Sequence, residues 1–385
     1  MSGQSTSTEL NGFYAWTHTL EGLYYGPGST STALPKLLDT LGASKALVVT
    51  GNSLYQKTDV VKKVEGILRD QNRYAATFHD IGEHSPISGI RAGAEAFKKS
   101  GADIIVSVGG GSPIDASKAI IYFLHEELGG EFRRQIAIPT TLSAAEYSIG
   151  AGYTDDAGEK TAVSSPYLAP AGIILDAELT LATPERLWLS TGIRALDHAV
   201  ETLYRPFVVP PLKLLCYGAI VDLFKYLPKS REDPNDIHAR QKLQVAAWMS
   251  LWPVRLEKYS PLGLSHALGH RLGATYGIPH GFTSCLTLAP TVKLKAKVAS
   301  EEDKEWLAGA LRQLGHPSTG SLDGDVVELS ELIKGLVGNL GLKTSLDQYK
   351  VPRKDLPIIA ERALGGRDEI HSAVVSFLEE LYSSP

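Results

Sequence analysis

The stretch SVGGGSPIDASKAI, residues 107–120, places three consecutive glycines between an apolar run and a helical pattern. The apolar run before them is short and β-branched, which is typical of a buried strand. Ser112 and Pro113 then predict a helix with Ser as its N-cap and Pro at its first position. Free backbone N–H groups and the positive end of the helix dipole converge at such a turn. We therefore expect a phosphate or pyrophosphate at Gly109, Gly110 and Gly111. A merely tight turn is the alternative, because the spacing matches neither common nucleotide motif.

The composition of the whole chain limits its partners. At 385 residues the chain is long enough for two domains with separate cores. Its net charge is −5 and it has no run of Lys and Arg, which argues against nucleic acid or an anionic membrane as the main partner. The sequence lacks a membrane-spanning stretch and a secretory signal, and Cys216 and Cys285 make no disulfide framework. We expect a cytoplasmic protein.

The two halves of the chain have different patterns. In the first half, apolar strands alternate with helical patterns, with strands predicted at 45–50, 74–78, 103–108 and 135–138 and helices at 56–70 and 88–99. This alternation favours βαβ units and a parallel sheet covered by helices on both faces. Ligands of such sheets bind at the carboxyl ends of the strands, where residues 109–112 and 139–141 both fall.

The second half is predicted to be helical. The strand signal disappears beyond Thr180, and Thr183 followed by Pro184 predicts a helix N-cap and first turn. We therefore predict an α/β domain over residues 1–182 and an all-helical domain over 183–385. The cleft between the two domains is the expected active site.

Four of the 11 histidines lie in two short segments of the helical half: His198, His266, His270 and His280. His266 and His270 are four residues apart and share a helix face. Such a pair, with a third histidine on a nearby loop, is competent to bind zinc or iron. A single histidine on an apolar helix is more often a hydrogen-bonded core residue. Four histidines beside small residues favour a functional site over four separate core residues.

Several motifs occur in a characteristic order: GGGSPIDASK at 109–118, IPTT at 138–141, DAELT at 176–180, GIRALDHAVE at 192–201 and GLSHALGHRLGATYGIPHG at 263–281. This order resembles the iron-containing alcohol dehydrogenase superfamily, which shares its fold with dehydroquinate synthase. The segments around Thr140, Tyr153 and His198 are most similar to the maleylacetate reductase branch. The resemblance implies a Rossmann-like domain that binds NADPH or NADH, a helical domain and a homodimer.

The resemblance also implies cofactor-binding residues. It places the pyrophosphate on the three glycines, Ser112 and Asp115 near the nicotinamide, Thr140, Thr141 and Leu142 beside the adenosine and ribose, and Lys160 at the ribose. NAD-preferring members carry an aspartate after the first strand, where this chain has Gly51 and Asn52. The missing carboxylate removes repulsion of a 2′-phosphate, so NADPH is plausible and NADH stays open. Relatives also have a glycine-bearing turn where this chain has residues 142–146.

The resemblance breaks at the metal site. Metal-dependent members use three histidines and an aspartate four residues before the first, and this chain has Arg194 at that position. A guanidinium cannot ligate a cation, and its repulsion of a divalent ion costs on the order of several kcal/mol. Asp197 points about 100° away from His198 on a helix and is a poor substitute. We expect no catalytic metal, with His198, His266 and His280 as a vestigial set. Two roles are open for Arg194: a clamp for a substrate carboxylate or enolate, or an ion pair with a neighbouring carboxylate.

The leading functional hypothesis is an NAD(P)H-dependent reductase of a small oxygenated substrate that is carboxylated or carries an enol. Without a metal, the developing oxyanion needs protonated donors, and the expected catalytic residues are Arg194, His198, His266, His270 and His280. The alternative is a lyase, dehydratase or cyclase on the same scaffold that uses the histidines as acids and bases. A catalytically inert binding protein is a third reading, and it gives little reason for all four histidines.

Overall fold

The computed structural model of the chain describes residues 19–82, 85–157, 160–253, 256, 258 and 260–382. Its first half contains β1 Gly22–Tyr25, α1 Thr30–Thr40, β2 Ala46–Gly51, α2 Asn52–Lys57, α3 Val60–Asp70, β3 Tyr74–Ile81, α4 Ile87–Ser100, β4 Ile104–Gly109, α5 Gly111–Leu128, β5 Arg134–Pro139, β6 Gly150–Thr154, β7 Lys160–Ser164, β8 Gly172–Leu175 and α6 Ala177–Thr180. Its second half contains α7 Glu185–Leu203, α8 Pro210–Glu232, α9 Ile237–Ser250, α10 Leu264–Tyr276, α11 His280–Val298, α12 Glu301–Gln313, α13 Leu322–Asn339, α14 Leu356–Leu364 and α15 His371–Glu380.

The first half is built on a six-stranded parallel sheet with strand order β1-β8-β5-β4-β2-β3. Apolar side chains form one cluster on each face of the sheet, around Val106 on one face and Ile105 on the other. β6 and β7 form a separate antiparallel hairpin. The predicted α/β domain followed by a helical domain is confirmed, and the boundary near residue 182 stays a prediction. Among the described residues, no helix is both long and apolar enough to cross a bilayer.

The predicted helix over residues 56–70 is wrong in detail, because the chain forms two helices there. Thr58 adopts an extended conformation at the end of α2. Its hydroxyl accepts a hydrogen bond from the Val60 N–H at 3.3 Å and donates to the Leu54 carbonyl. A threonine side chain that bonds to nearby backbone in this way competes with helix formation.

Two predicted helix starts are also wrong by one or two residues. α5 begins at Gly111 with Gly110 in extended conformation as its N-cap, so Ser112 lies within the first turn. α7 begins at Glu185 after Pro184, and the Thr183 hydroxyl donates to the Thr140 carbonyl at 2.7 Å. Neither helix start has a side-chain capping hydrogen bond. Thr183 instead links the two halves of the chain.

The two halves are joined by buried hydrogen bonds near the carboxyl end of β5. The Leu142 N–H donates to the Thr191 hydroxyl of α7 at 3.1 Å. The guanidinium of Arg240, on α9, lies 4.6 Å from the Trp188 ring and donates to the Thr180 carbonyl at 2.8 Å. These contacts fix the loop after β5 to the first helix of the helical half.

Asp176 connects the carboxyl end of β8 to the start of the chain. Its buried carboxylate accepts hydrogen bonds from the Gly28 N–H at 2.8 Å, the Thr30 N–H at 3.0 Å and the Thr30 hydroxyl at 2.7 Å. It also accepts from the Glu178 N–H as the N-cap of α6. One side chain therefore satisfies donors of two chain segments that are about 150 residues apart.

We expect Asp176→Ala to lower the free energy of unfolding by about 3 kcal/mol, because several buried donors lose a charged acceptor. Urea denaturation followed by circular dichroism measures the change. The matched control is Asp236→Ala, which removes a single N-cap hydrogen bond to the Ala239 N–H and should cost about 1 kcal/mol. Equal losses in the two variants would show that the network around Asp176 adds nothing.

Candidate active site

The glycine turn leaves no room for side chains between β4 and the loop after β5. Gly109 has a φ of +140°, and a Cβ added there would lie 3.0 Å from the Pro113 ring. A Cβ on Gly110 would lie 3.1 Å from the Thr141 methyl group, and one on Gly111 would lie 3.3 Å from the Ser143 hydroxyl. The first N–H groups of α5 have no helical acceptors, so they are available to an anion at this turn. The arrangement fits the pyrophosphate of a dinucleotide.

A fully buried lysine, which the sequence analysis did not single out, lies one turn further along α5. The Lys118 ammonium is 3.2 Å from Asp115 Oδ1, and it donates to the Ala145 carbonyl, the Ser148 hydroxyl and the Gly150 carbonyl at 2.6, 2.8 and 3.0 Å. Lys118 therefore fixes Asp115 relative to the loop before the β6–β7 hairpin. The spacing of three residues between Asp115 and Lys118 is the sequence signal for this pair.

Glu146 occupies the same loop, within residues 142–146, where the sequence was expected to depart from the family pattern. It is buried, and desolvation raises its pKa to about 7, while the positive charge of Lys118 acts in the opposite direction. Ala144, two residues earlier, has a φ of +60°, in the left-handed region that favours glycine. The loop therefore has, at Ala144, a left-handed backbone conformation that is typical of glycine.

The remaining cofactor positions follow the edge of the sheet. Asn52 is the first residue of α2 and lies exposed at the carboxyl end of β2. Thr140, Thr141 and Leu142 form the buried loop after β5, where the Thr141 and Ser143 hydroxyls are 3.0 Å apart. Lys160 begins β7, and its side chain lies outside the described atoms.

The four histidines form a row of neighbouring rings whose first two members are buried and whose last two are exposed or half-buried. The ring centroids are 4.9 Å apart for His198 and His266, 5.7 Å for His266 and His270, and 5.7 Å for His270 and His280. His198 and His266 are buried, whereas His270 is exposed. The expected shared face of His266 and His270 on α10 is confirmed. His280 is the first residue of α11 and not a loop residue, so its expected position on a loop is wrong.

Arg194 lies at the buried end of this row. Its Nη2 is 2.5 Å from His266 Nε2, and its Nη1 donates to the Ser284 hydroxyl at 3.1 Å. Nη1 is also 3.6 Å from Asp197 Oδ2, to which the Ser284 hydroxyl donates at 2.5 Å. Burial and the charge of Arg194 hold the pKa values of His198 and His266 well below the ordinary range. The ion pair expected as one alternative for Arg194 is present, and the charge of the guanidinium favours the neutral form of both imidazoles.

Two carboxyl groups face the other nitrogen of His266. Asp197 Oδ2 accepts from the Ser265 hydroxyl at 3.0 Å, and Glu201 Oε1 accepts from the Ser265 N–H and the Tyr204 hydroxyl at 2.8 and 3.1 Å. His266 Nδ1 is 3.8 Å from Asp197 Oδ2 and 3.7 Å from Glu201 Oε2. Desolvation and the nearby charge of Asp197 raise the pKa of Glu201 to about 8. The cluster therefore combines one fixed cation with carboxyl groups of raised pKa.

The described residues do not fit a metal ion on the Nε2 side of His266, because the guanidinium of Arg194 occupies that position. Asp197, Glu201 and His266 each bring one ligand atom to within 4.8 Å of the others on the opposite side. A divalent ion there would lie several ångströms from Arg194, and the repulsion is about 5 kcal/mol at an effective dielectric constant near 20. The donor set is present, and the charge of Arg194 opposes the attraction that its carboxyl groups would exert on a cation.

Comparison with known proteins places this architecture in a family. The family model for iron-containing alcohol dehydrogenase matches residues 21–177, and the model for the C-terminal part of the Fe-containing alcohol dehydrogenase family matches residues 188–377. The two models together span both halves of the chain. The chain belongs to the iron-containing alcohol dehydrogenase family, and it is an NAD(P)H-dependent oxidoreductase of that family.

Individual relatives cover nearly the whole chain. A maleylacetate reductase from Rhizobium sp. (strain MTP-10005) is 29% identical over 351 residues, with 91% of each chain covered. An NADPH-dependent butanol dehydrogenase from Clostridium saccharobutylicum is 28% identical, with 89% of this chain and 90% of that protein covered. The crystal structure of maleylacetate reductase from Agrobacterium tumefaciens superposes with a TM-score of 0.78 at 26% identity, covering 96% of this chain and 98% of that one. The similarity to the maleylacetate reductase branch is confirmed.

We expect Gly110→Val to raise the Kd for NADPH by about tenfold or more, because a branched side chain must enter the space beside Thr141 and such overpacking costs about 1–3 kcal/mol. Titration of dihydronicotinamide fluorescence measures the Kd. The matched control is Gly66→Val on α3, where an added Cβ meets no atom within 4 Å. A folded Gly110→Val protein with unchanged affinity would contradict the position of the pyrophosphate.

Proposed function

We propose that the chain is a metal-independent NAD(P)H-dependent reductase, similar to maleylacetate reductase, that acts on a small carboxylated or enol-bearing carbonyl compound. The observation that carries the proposal is the fixed connection between the two parts of the site. The Leu142 N–H, in the loop opposite the glycine turn, donates to Thr191 of the same helix that carries Arg194 and His198. The loop beside the glycine turn is therefore bonded to the helix that carries one end of the imidazole row.

The proposed roles of the residues follow from this arrangement. Gly109, Gly110 and Gly111 with the start of α5 bind the pyrophosphate, and Asp115, held by Lys118, lies toward the nicotinamide. A bound dihydronicotinamide supplies a hydride to the electrophilic carbon of the substrate. The imidazoles at the exposed end of the row donate the hydrogen bonds and the proton that the resulting oxyanion needs. We further propose that the enzyme is cytoplasmic, as its composition indicates, and a homodimer, as the resemblance to the family implies.

Alanine at His270 or His280 should reduce kcat by about 100-fold while changing the Kd for NADPH little, because general acid catalysis contributes about 10²–10⁴ in rate. NADPH oxidation with maleylacetate or butanal as the test substrate measures turnover at the nicotinamide absorbance band. His316→Ala, an exposed histidine outside the row, is the matched control and should keep full activity. Conversion of substrate without NADPH consumption would favour the lyase alternative instead.

We expect the protein to bind NADPH at least as well as NADH, because Gly51 leaves space at the carboxyl end of β2 and contributes no carboxylate of its own. A Cβ at Gly51 would approach only the Ile81 carbonyl, at 3.8 Å, so larger residues fit. Gly51→Asp should shift the ratio of kcat/KM values toward NADH by repelling the 2′-phosphate. Gly51→Asn, with the same size and no charge, is the control and should shift the ratio less. A wild-type enzyme that does not use NADPH would rule out this explanation.

A further inference from the structure

Arg194 makes contacts that fix its guanidinium in one position. The side chain is only 8% exposed, and its two terminal nitrogens contact three different partners, on α7, α10 and α11. Asp197 follows it by one helical turn on α7, His266 lies on α10 and Ser284 on α11. A planar guanidinium held from three directions has little rotational freedom. The positive charge is therefore a permanent part of the helical half.

The contact with His266 assigns the protons of that imidazole. A guanidinium has five N–H donors and no acceptor, so His266 Nε2 must accept the hydrogen bond from Arg194. A neutral imidazole with an accepting Nε2 carries its proton on Nδ1. Nδ1 lies 3.8 Å from Asp197 Oδ2 and 3.7 Å from Glu201 Oε2, which is too far for a hydrogen bond. The contact with Arg194 at Nε2 therefore selects the tautomer.

The contacts of His266 determine which end of the imidazole row can donate a proton to a substrate. His266 is bonded to Arg194 through Nε2 and faces carboxyl groups through Nδ1, so neither nitrogen is directed at a substrate. His198 is buried beside it, with its ring centroid 4.9 Å away. His270 is the next ring toward the surface, at 5.7 Å, and it is exposed. Proton donation to a substrate falls to the outer part of the row.

We propose that Arg194 is a positioning residue: its guanidinium is the fixed cation of the imidazole row, and it holds His266 as the Nδ1-protonated tautomer. This inference rests on the proposed reductase function and deepens it. The guanidinium of Arg194 occupies the position in which His266 Nε2 would bind a metal ion. Arg194 therefore orders the imidazoles in place of an ion. It acts through His266 and does not bond to the substrate.

The tautomer is measured directly in the wild-type protein by nitrogen-15 NMR of histidine side chains, with His266→Gln used to assign the signal. We expect a neutral His266 with its proton on Nδ1. Protonation on Nε2 would overturn the inference, since Nε2 could not then accept from Arg194. This measurement needs no substrate, so it distinguishes failure of the Arg194 role from failure of the reductase function, which is tested by NADPH oxidation.

Variants test whether the guanidinium matters for turnover. Arg194→Ala should lower kcat about 100-fold with the Kd for NADPH within about threefold, as for loss of one preorganised electrostatic group. Millimolar guanidinium chloride should restore part of the activity, because the free cation fits the space that the side chain leaves. Urea at the same concentration is the uncharged control and should restore nothing. Unchanged kcat in Arg194→Ala would contradict the inference.

Arg186→Ala is the matched arginine control. Arg186 lies on the first turn of the same helix, with its guanidinium 4.4 Å from the Phe282 ring. It should keep full activity and show no response to guanidinium. If Arg194→Ala does not fold, the wild-type tautomer still decides the question. Ser284→Ala, which removes one hydrogen bond from the guanidinium, then provides a milder variant that should lower kcat with Arg194 retained.

Metal analysis provides a second, independent readout. The wild-type protein as purified should contain well under one equivalent of iron or zinc, and a chelator should leave its activity intact. Arg194→Asp replaces the cation by a potential ligand beside His266 and should bind about one equivalent of zinc by calorimetry. Equal zinc binding by both proteins would contradict the electrostatic exclusion. Stoichiometric metal in the wild type, with activity lost on chelation and regained on its return, would overturn the inference.

Discussion

The structure of the site depends on the close approach of the glycine turn to the loop after β5. Gly110 and Thr141 lie so near each other that even a methyl group on Gly110 would require a shift of the threonine. The same loop is hydrogen-bonded to α7 through Leu142 and Thr191. A displacement at the nucleotide cradle therefore reaches the helix that carries Arg194 and His198. The packing of a few small groups sets the distance between the glycine turn and α7.

The charged groups inside the helical half determine which ligands the site can bind. The interior of the helical half contains a guanidinium, two carboxyl groups and two imidazoles within one cluster. Burial of so many ionisable groups is unfavourable unless they are paired and hydrogen-bonded. The guanidinium of Arg194 meets this condition for its own charge by bonding to His266 and Ser284 and by lying beside Asp197. The arginine therefore compensates for the carboxyl groups, and its removal leaves them without a cation.

Local sequence patterns predicted the fold class and the elements that carry the candidate site residues. The β-branched run before the glycines forms β4, and the paired histidines lie on one face of α10 as their spacing indicates. The helix starts were harder to predict, because the N-cap of α5 is Gly110 and involves no side chain. The break at Thr58 depends on a hydroxyl that bonds to local backbone, which competes with helix formation in a way that periodicity does not detect.

The partners of the site residues could not be read from the sequence, because they are distant in the chain. Arg194 and Ser284 are 90 residues apart, and Lys118 bonds to atoms about 30 residues away. An arginine in place of an aspartate predicted the loss of a metal ligand. It left open whether the guanidinium faces a substrate or another side chain. Only the packing of α7 against α10 and α11 shows that His266 is its partner.

An arginine that provides the charge of an active site has a consequence for how the protein matures. A metal ion must be delivered to a folded chain, and it can be lost, exchanged for another metal or oxidised. The guanidinium of Arg194 is synthesised with the polypeptide and reaches His266 as α7 packs against α10. On the proposed role of Arg194, the site is complete once the chain has folded and the nucleotide has bound. The completeness of the site then does not depend on the supply of iron in the cell.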